Sequence, residues 1–107
     1  MNGEALKGHL DLLLLAVVAE TPGHGYAIAQ ALRTRSDSVI DLAEGTLYPA
    51  LHRLERAGLI SGKWSEVSGR RRRVYQLTAK GQRSLGQKHQ EWDLFARTVY
   101  GVVGGRP

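Results

Sequence analysis

A chain of 107 residues, 42% hydrophobic, carries 15 Lys and Arg against 10 Asp and Glu, for a net charge of +5 and a pI near 10.0. A core of that size holds roughly one layer of helices against a small sheet, which leaves little material to enclose an active site, so an enzyme is not expected. With no cysteine, disulfides, thiolate metal sites, iron–sulfur clusters and a Cys nucleophile are excluded. The longest apolar run, Leu12 to Ala19, has eight residues, far short of the ~20 that cross a membrane. The chain therefore reads as soluble, cytoplasmic and complete, with no membrane partner.

Charge is distributed unevenly. Residues 1–45 hold three bases and six acids, net −3, whereas residues 46–107 hold twelve bases and four acids, net +8, including the consecutive run Arg70 to Arg73. A basic block of this kind is the electrostatic footprint of a domain that binds polyanions.

In chain order, residues 5–20 read as a helix, because Leu6, Leu10, Leu13, Leu14, Val17 and Val18 recur at three- and four-residue spacing. Leu12 and Leu15 spill beyond that face, which predicts cover on more than one side. Thr21 to Gly25 is a break of turn residues. A second helix follows over Gly25 to Arg35, with Tyr26, Ala29 and Leu32 along one stripe and Ile28 beside it. Ser36 to Ala43 reads as a loop with room for a short strand at Val39-Ile40. A third helix, Glu44 to Ala57, is stopped by Gly58, which suits a left-handed C-terminal cap. Leu47, Ala50, Leu51 and Leu54 form its buried face, while Gly45, Pro49, His52, Arg53 and Arg56 project from the opposite side, with Thr46 and Tyr48 at the edges. Pro49 has no N–H and is expected in the first turn. The residue before the helix, Ala43, cannot cap it, so a cap comes from Asp41 or is absent.

Leu59 to Glu66 and Arg71 to Leu77 read as strands around a turn at Val67 to Arg70, with Arg73, Tyr75 and Leu77 on one face. Tyr75 is expected in the core. Thr78 suits the N-cap of a last helix running to about Val103, weakened early by Gly81 and Gly86. The order helix, helix, helix, hairpin, helix, with arginines at the hairpin tip, is the winged helix-turn-helix plan: a mainly α fold with a small β-hairpin. The expected division is 1–78 for the winged helix-turn-helix, 79–103 for a C-terminal dimerisation helix and 104–107 for a tail.

Three segments carry a family likeness. His24-Gly25-Tyr26-Ala27-Ile28, then Gly45-Thr46-Leu47-Tyr48-Pro49-Ala50-Leu51 running on to Gly58-Leu59-Ile60, then Arg73-Val74-Tyr75-Gln76-Leu77-Thr78-Ala79-Lys80-Gly81 resemble the PadR family of bacterial transcriptional regulators, in its compact subfamily with a single terminal helix. The resemblance implies a homodimeric repressor on a palindromic operator, with the third helix in the major groove of double-stranded DNA. It implies DNA contacts from Tyr26, Thr46, Tyr48, Pro49 and Arg53, and a dimer built by the first and last helices. On spacing alone, Tyr26 and Tyr48 fit the core as well as a DNA surface.

Residue chemistry adds to this. Four adjacent arginines, Arg70, Arg71, Arg72 and Arg73, suit a clamp on phosphates, because guanidinium pairs with phosphate oxygens by charge-assisted bonds. His52, Arg53 and Arg56 on the outward stripe can reach base edges. Leu85, Lys88, Trp92, Phe95, Val99 and Val102 fall on an a/d-like seam, so the expected dimer interface is Leu6, Leu10, Leu85, Trp92, Phe95, Val99 and Val102. In drug-sensing members of the family, aromatic residues at the dimer centre stack on flat ligands, which implies Trp92 as the contact for a small aromatic effector. The four histidines show no His-x-x-x-His pair and no cluster of carboxylates, so no metal and no cofactor is expected, and nothing sets a nucleophile beside a base. The competing reading is a winged-helix module whose basic wing meets an acidic protein.

Overall fold

The computed structural model describes Leu6 and residues 8–105, apart from the side chain of Val67. Its elements are helix α1 (Leu10–Glu20), strand β1 (Gly23–His24), helix α2 (Gly25–Arg35), helix α3 (Glu44–Arg56), strands β2 (Ile60–Val67) and β3 (Arg70–Leu77), and helix α4 (Ala79–Val103). Residues 5 and 7 of the anticipated first helix, and 106 and 107 of the anticipated tail, lie outside the described residues.

The core is one cluster. Leu14, Leu15, Val17 and Val18 of α1 meet Ile28 and Leu32 of α2, Leu47, Ala50, Leu51 and Leu54 of α3, and Ile60 and Tyr75 of the sheet. Helix α1 packs against α2, α3, α4 and β3, and a helix surrounded in this way must be apolar on nearly all sides. Leu15, outside the predicted face, is accordingly fully buried. In α2 the buried stripe is Gly25, Ile28 and Leu32. Ile28 and Leu32 are buried and Ala29 packs partly on the core as expected, but Tyr26 departs from the stripe, standing 69% exposed while Gly25 takes the inward position.

The sheet has three strands, not two, in the order β1-β3-β2 and antiparallel throughout. Gly23 and His24, read from sequence as part of a break, pair with Tyr75 and Val74. Two residues give no detectable period, so β1 exists only because β3 offers it a free edge. No strand forms at Val39-Ile40; there Ser36 Oγ accepts from the Ile40 N–H at 3.0 Å, a turn that turns Ile40 into the core. The hairpin loop is two residues, Ser68 and Gly69, both with positive φ (52° and 76°), which matches the twist of the flanking strands. Each strand therefore runs one residue closer to the tip than expected.

Pro49 also departs from expectation. It lies in the second turn of α3, whose first residue is Glu44, so the Gly45 carbonyl lacks its i→i−4 donor. Gly45 is exposed, and water can take that carbonyl. Ala43 occupies the N-cap with no side-chain cap bond, so of the two options for that position the cap is absent.

Helices α3 and α4 are joined end to end. Gly58, at φ 77°, turns the chain out of α3. The Leu59 N–H donates to the Leu54 carbonyl at 3.0 Å, and the Thr78 N–H donates to the Leu59 carbonyl at 3.1 Å. Thr78 Oγ1 accepts from the Gly81 N–H at 3.0 Å and donates to the Gly58 carbonyl at 2.6 Å. Lys80 Nζ donates to the Ala57 carbonyl at 2.9 Å, capping the end of α3. Gly81 is required here: a Cβ on it would sit 1.9 Å from the Leu59 carbonyl oxygen. Gly86, by contrast, faces open space.

These two glycines should respond in opposite directions. Gly81→Ala should lower unfolding stability by about 1–3 kcal/mol through overpacking against backbone. Gly86→Ala should raise it by about 0.5–1 kcal/mol, because alanine loses less backbone entropy in a helix. Denaturant titration of both variants against the parent checks the pair.

Candidate nucleic-acid interface

Helix α3 sits on the core by its Leu47, Ala50, Leu51 and Leu54 side, as expected, and its other side is solvent-exposed. That outward side divides between two clefts. Tyr48 and His52 face a cleft of about 730 Å³ shared with His24 and Tyr26 of the α2 start and with Trp64, Arg71, Arg72 and Arg73 of the hairpin. Thr46, Pro49 and Arg53 instead border a cleft of about 760 Å³ whose far wall is His9 and Asp11 next to and on α1, and Lys88, Trp92 and Phe95 of α4. Arg56 is exposed in the last turn of α3. Tyr26 and Tyr48 are both exposed, and Tyr75 is 2% exposed in the core, where burial pushes its phenol pKa up.

The arginine run is not uniform. Side chains alternate across a strand, and the surroundings alternate with them. Arg70 and Arg71 are exposed. Arg71 lays its guanidinium over the Trp64 ring, 4.8 Å from the centroid. Arg72 reaches the other way, with Nη1 2.8 Å from His24 Nε2, while His24 Nδ1 lies 3.3 Å from the Ala27 N–H that it would cap. A neutral imidazole has one lone pair, so His24 serves either the α2 cap or Arg72 at any moment. Arg73 turns inward: Nη2 donates to Glu55 Oε2, Nε lies 3.4 Å from Glu55 Oε1, and the guanidinium sits 5.4 Å from the Trp64 centroid.

Arg53 is likewise occupied, donating to Asp11 Oδ1 of α1. The two side chains are 52% and 34% exposed, and pairs open to water contribute only about 0–1 kcal/mol, so Arg53 can exchange this partner for another acceptor at little cost. Asp11, Glu55 and Trp64 were absent from the sequence reading. The hairpin register sets Trp64 opposite Arg73, and counting back from the turn would have placed it; no comparable signal announces Asp11 or Glu55, whose partners come from other elements.

Of the residues expected at a dimer interface, Leu6 ahead of α1, Leu10 at the start of α1 and Leu85 of α4 are partly buried against the core of their own chain. Trp92, Phe95, Val99 and Val102 are exposed, and so are Leu94, Tyr100 and Val103. Trp92 meets His9 edge-on at 4.9 Å and lies 6.0 Å from Phe95. Among the described residues no group of His, Asp and Glu could hold a metal, and no helix is long and apolar enough to cross a membrane.

The exposed polar side of α3 thus lies beside an arginine-bearing hairpin. The profile of the transcriptional regulator PadR-like family matches residues 14–87. The chain belongs to the PadR-like family of transcriptional regulators. It is 38% identical to the transcriptional regulator Rv3488 of Mycobacterium tuberculosis over 98 residues, covering 92% of this chain and 89% of that one. Among solved structures, a transcriptional regulator from Clostridium thermocellum superposes with a TM-score of 0.84 at 31% identity, covering 92% of this chain and 96% of that one. A PadR family regulator from Clostridium difficile R20291 superposes with a TM-score of 0.75 at 37% identity, covering 92% and 100%. The winged-helix architecture and the non-enzymatic, DNA-binding class expected from sequence are thus those of the PadR family.

The Glu55–Arg73 pair makes stability depend on pH in one direction. The Arg73 hydrogen bond, foremost, and its positive charge hold the Glu55 carboxyl below its ordinary 4.5, against burial that raises it. A carboxyl depressed on folding contributes stability that is fully present above the unfolded value and is lost as pH falls through the folded one. Glu55→Gln should therefore melt below the parent at neutral pH, with the gap closing as pH drops below 4.5. Thermal melts across that range check the sign.

Proposed function

We propose that this PadR-family chain is a repressor that docks as a homodimer on a palindromic operator and is released by a planar aromatic effector. The observation that carries the reading is the groove shared by the polar side of α3 and the arginine-bearing hairpin. A helix in the major groove reads bases while the hairpin follows the backbone. In this reading Arg70, Arg71 and Arg72 meet phosphates, joined by Tyr26 at the start of α2. Thr46, Tyr48, Pro49, His52, Arg53 and Arg56 face the major groove of the DNA, with Arg53 free to bond guanine O6 and N7 together once it leaves Asp11. A phosphate that takes Arg72 also frees His24 to cap α2.

Dimerisation is supported by the exposed apolar side of α4. Trp92, Phe95, Val99 and Val102 stand in solvent together with Leu94, Tyr100 and Val103, a surface that a soluble chain covers with a partner. A two-fold pair would set two copies of α3 on half-sites about one helical turn apart, which calls for a palindrome.

Trp92 is the proposed effector contact. Its ring is 39% exposed, flanked by His9 and Phe95, at the edge of the cleft that Arg53 borders from α3. A planar molecule there favours one spacing of the two α3 helices over another, and so couples to DNA.

Footprinting on genomic fragments should give a protected palindrome, and that protection should fade on adding a planar aromatic compound that quenches tryptophan emission. Trp92→Ala should shift sedimentation toward monomer, since burying such a ring contributes a few kcal/mol, and should weaken the footprint although residue 92 touches no DNA. A stable Trp92→Ala dimer with undiminished affinity would overturn the interface. Binding to an acidic protein with no footprint would favour the interaction-module reading instead.

A further inference from the structure

We propose that Arg73 is a positioning residue for DNA binding: held by Glu55 and laid on Trp64, it fixes the hairpin against α3 and does not itself contact phosphate. The inference rests on the DNA-binding reading above and changes what the arginine run does within it.

Three observations carry it. Glu55 receives both Nε and Nη2 of Arg73, a two-pronged pair between α3 and β3, and the side chains are only 29% and 25% exposed. Trp64, directly across the hairpin, supplies a flat surface under the guanidinium. Gly62 on the same strand leaves the space through which the side chain crosses β2; a Cβ there would lie 2.6 Å from Arg73 Nε. A guanidinium paired through Nε and Nη2 with a carboxylate, and lying on an indole, has two of its five N–H donors taken and its charge balanced by its own chain. It has to give up that pair before it can act as a free cation toward a phosphate, and a balanced cation adds little to counterion release.

The same bonds have a geometric effect. The β2–β3 hairpin projects from the core with a two-residue loop at its tip, and its angle to α3 decides whether backbone and major groove can be met together. Glu55 is one residue from the buried Leu54, so Arg73 ties the hairpin to a rigid part of α3. Arg71, exposed and nearer the tip, shares the Trp64 ring but is not held by Glu55. The four arginines thus separate into phosphate contacts near the tip and one internal brace.

The test is the salt dependence of binding to a labelled random-sequence duplex, for the parent and for Arg71→Gln, Arg73→Gln, Arg73→Lys and Glu55→Gln. Arg71→Gln should lower the slope of log K against log salt by about 0.9, one phosphate contact. Arg73→Gln and Glu55→Gln should each weaken binding by a similar factor of about ten with the slope unchanged, and the double variant should be no weaker than either. Arg73→Lys keeps the charge but not the two-pronged pair, and should bind as weakly as Arg73→Gln. A reduced slope for Arg73→Gln, rescue by Arg73→Lys, or tighter binding by Glu55→Gln would each overturn the proposal. If Arg73→Gln does not melt cooperatively, Glu55→Gln and Arg73→Lys decide the matter. A parent that ignores duplex DNA altogether would remove the DNA-binding reading itself, a result separate from any of these.

Discussion

The close approach of Gly81 to the Leu59 carbonyl governs the geometry of the whole chain. It lets the first turn of α4 lie against the segment that ends α3, and Thr78 and Lys80 then bind the Gly58 and Ala57 carbonyls across the same joint. The Gly81 approach and the Thr78 N–H bond to the Leu59 carbonyl are backbone contacts with no rotamers to relax into, and with the two side-chain bonds they hold the two helices at one angle. In a homodimer of the kind proposed, that angle sets the separation of the two α3 helices. A movement at the α4 seam then becomes a change of spacing on DNA rather than being absorbed in the core.

Around this joint, the polar residues that face DNA in the proposed reading are held by acidic residues and aromatic rings of their own chain. Asp11 holds Arg53, Glu55 holds Arg73, and His24 meets Arg72. These contacts differ in exposure, and exposure decides which can be exchanged. The Arg53–Asp11 pair is open to water and gives way at little cost. The Arg73–Glu55 pair is more enclosed and backed by Trp64, so breaking it leaves a partly desolvated carboxylate without its cation. An arginine-rich hairpin can thus hold several basic residues while keeping one of them as a strut.

Helix α4 extends well beyond the body, in a chain whose longest dimension is 54 Å against 20 Å for its shortest. Its first turns are tied down at the joint and Leu85 still touches the core, but Leu94, Phe95, Val99, Tyr100, Val102 and Val103 are exposed. Trp92 sits at the boundary, touching His9 on one side and solvent on the other. The cleft proposed for an effector, the proposed interface and the α3 side bearing Arg53 therefore adjoin one another, so in the proposed reading a molecule bound there would have a short physical path to DNA.

What the sequence determined by itself is everything that local chemistry and period can decide. The 3.6-residue spacing of Leu47, Leu51 and Leu54 marks the face of α3 that meets the core, Thr78 marks the start of α4, and Gly58 marks the end of α3. The basic block and the hairpin with its turn residues identify the winged helix, and the segment Gly45 to Leu51 points to the family. Tertiary structure alone decided the rest. Strand β1 is too short to have a period and exists because β3 has an edge to pair. Tyr26 left the buried stripe because α2 rotates to place Gly25, Ile28 and Leu32 inward. Pro49 stands in the second turn because the carbonyl it leaves open belongs to an exposed residue. Above all, the four arginines read as one charge in sequence and became different groups in space, because the pleat sends neighbours to opposite faces and only the fold brings Glu55 to Arg73 and Asp11 to Arg53.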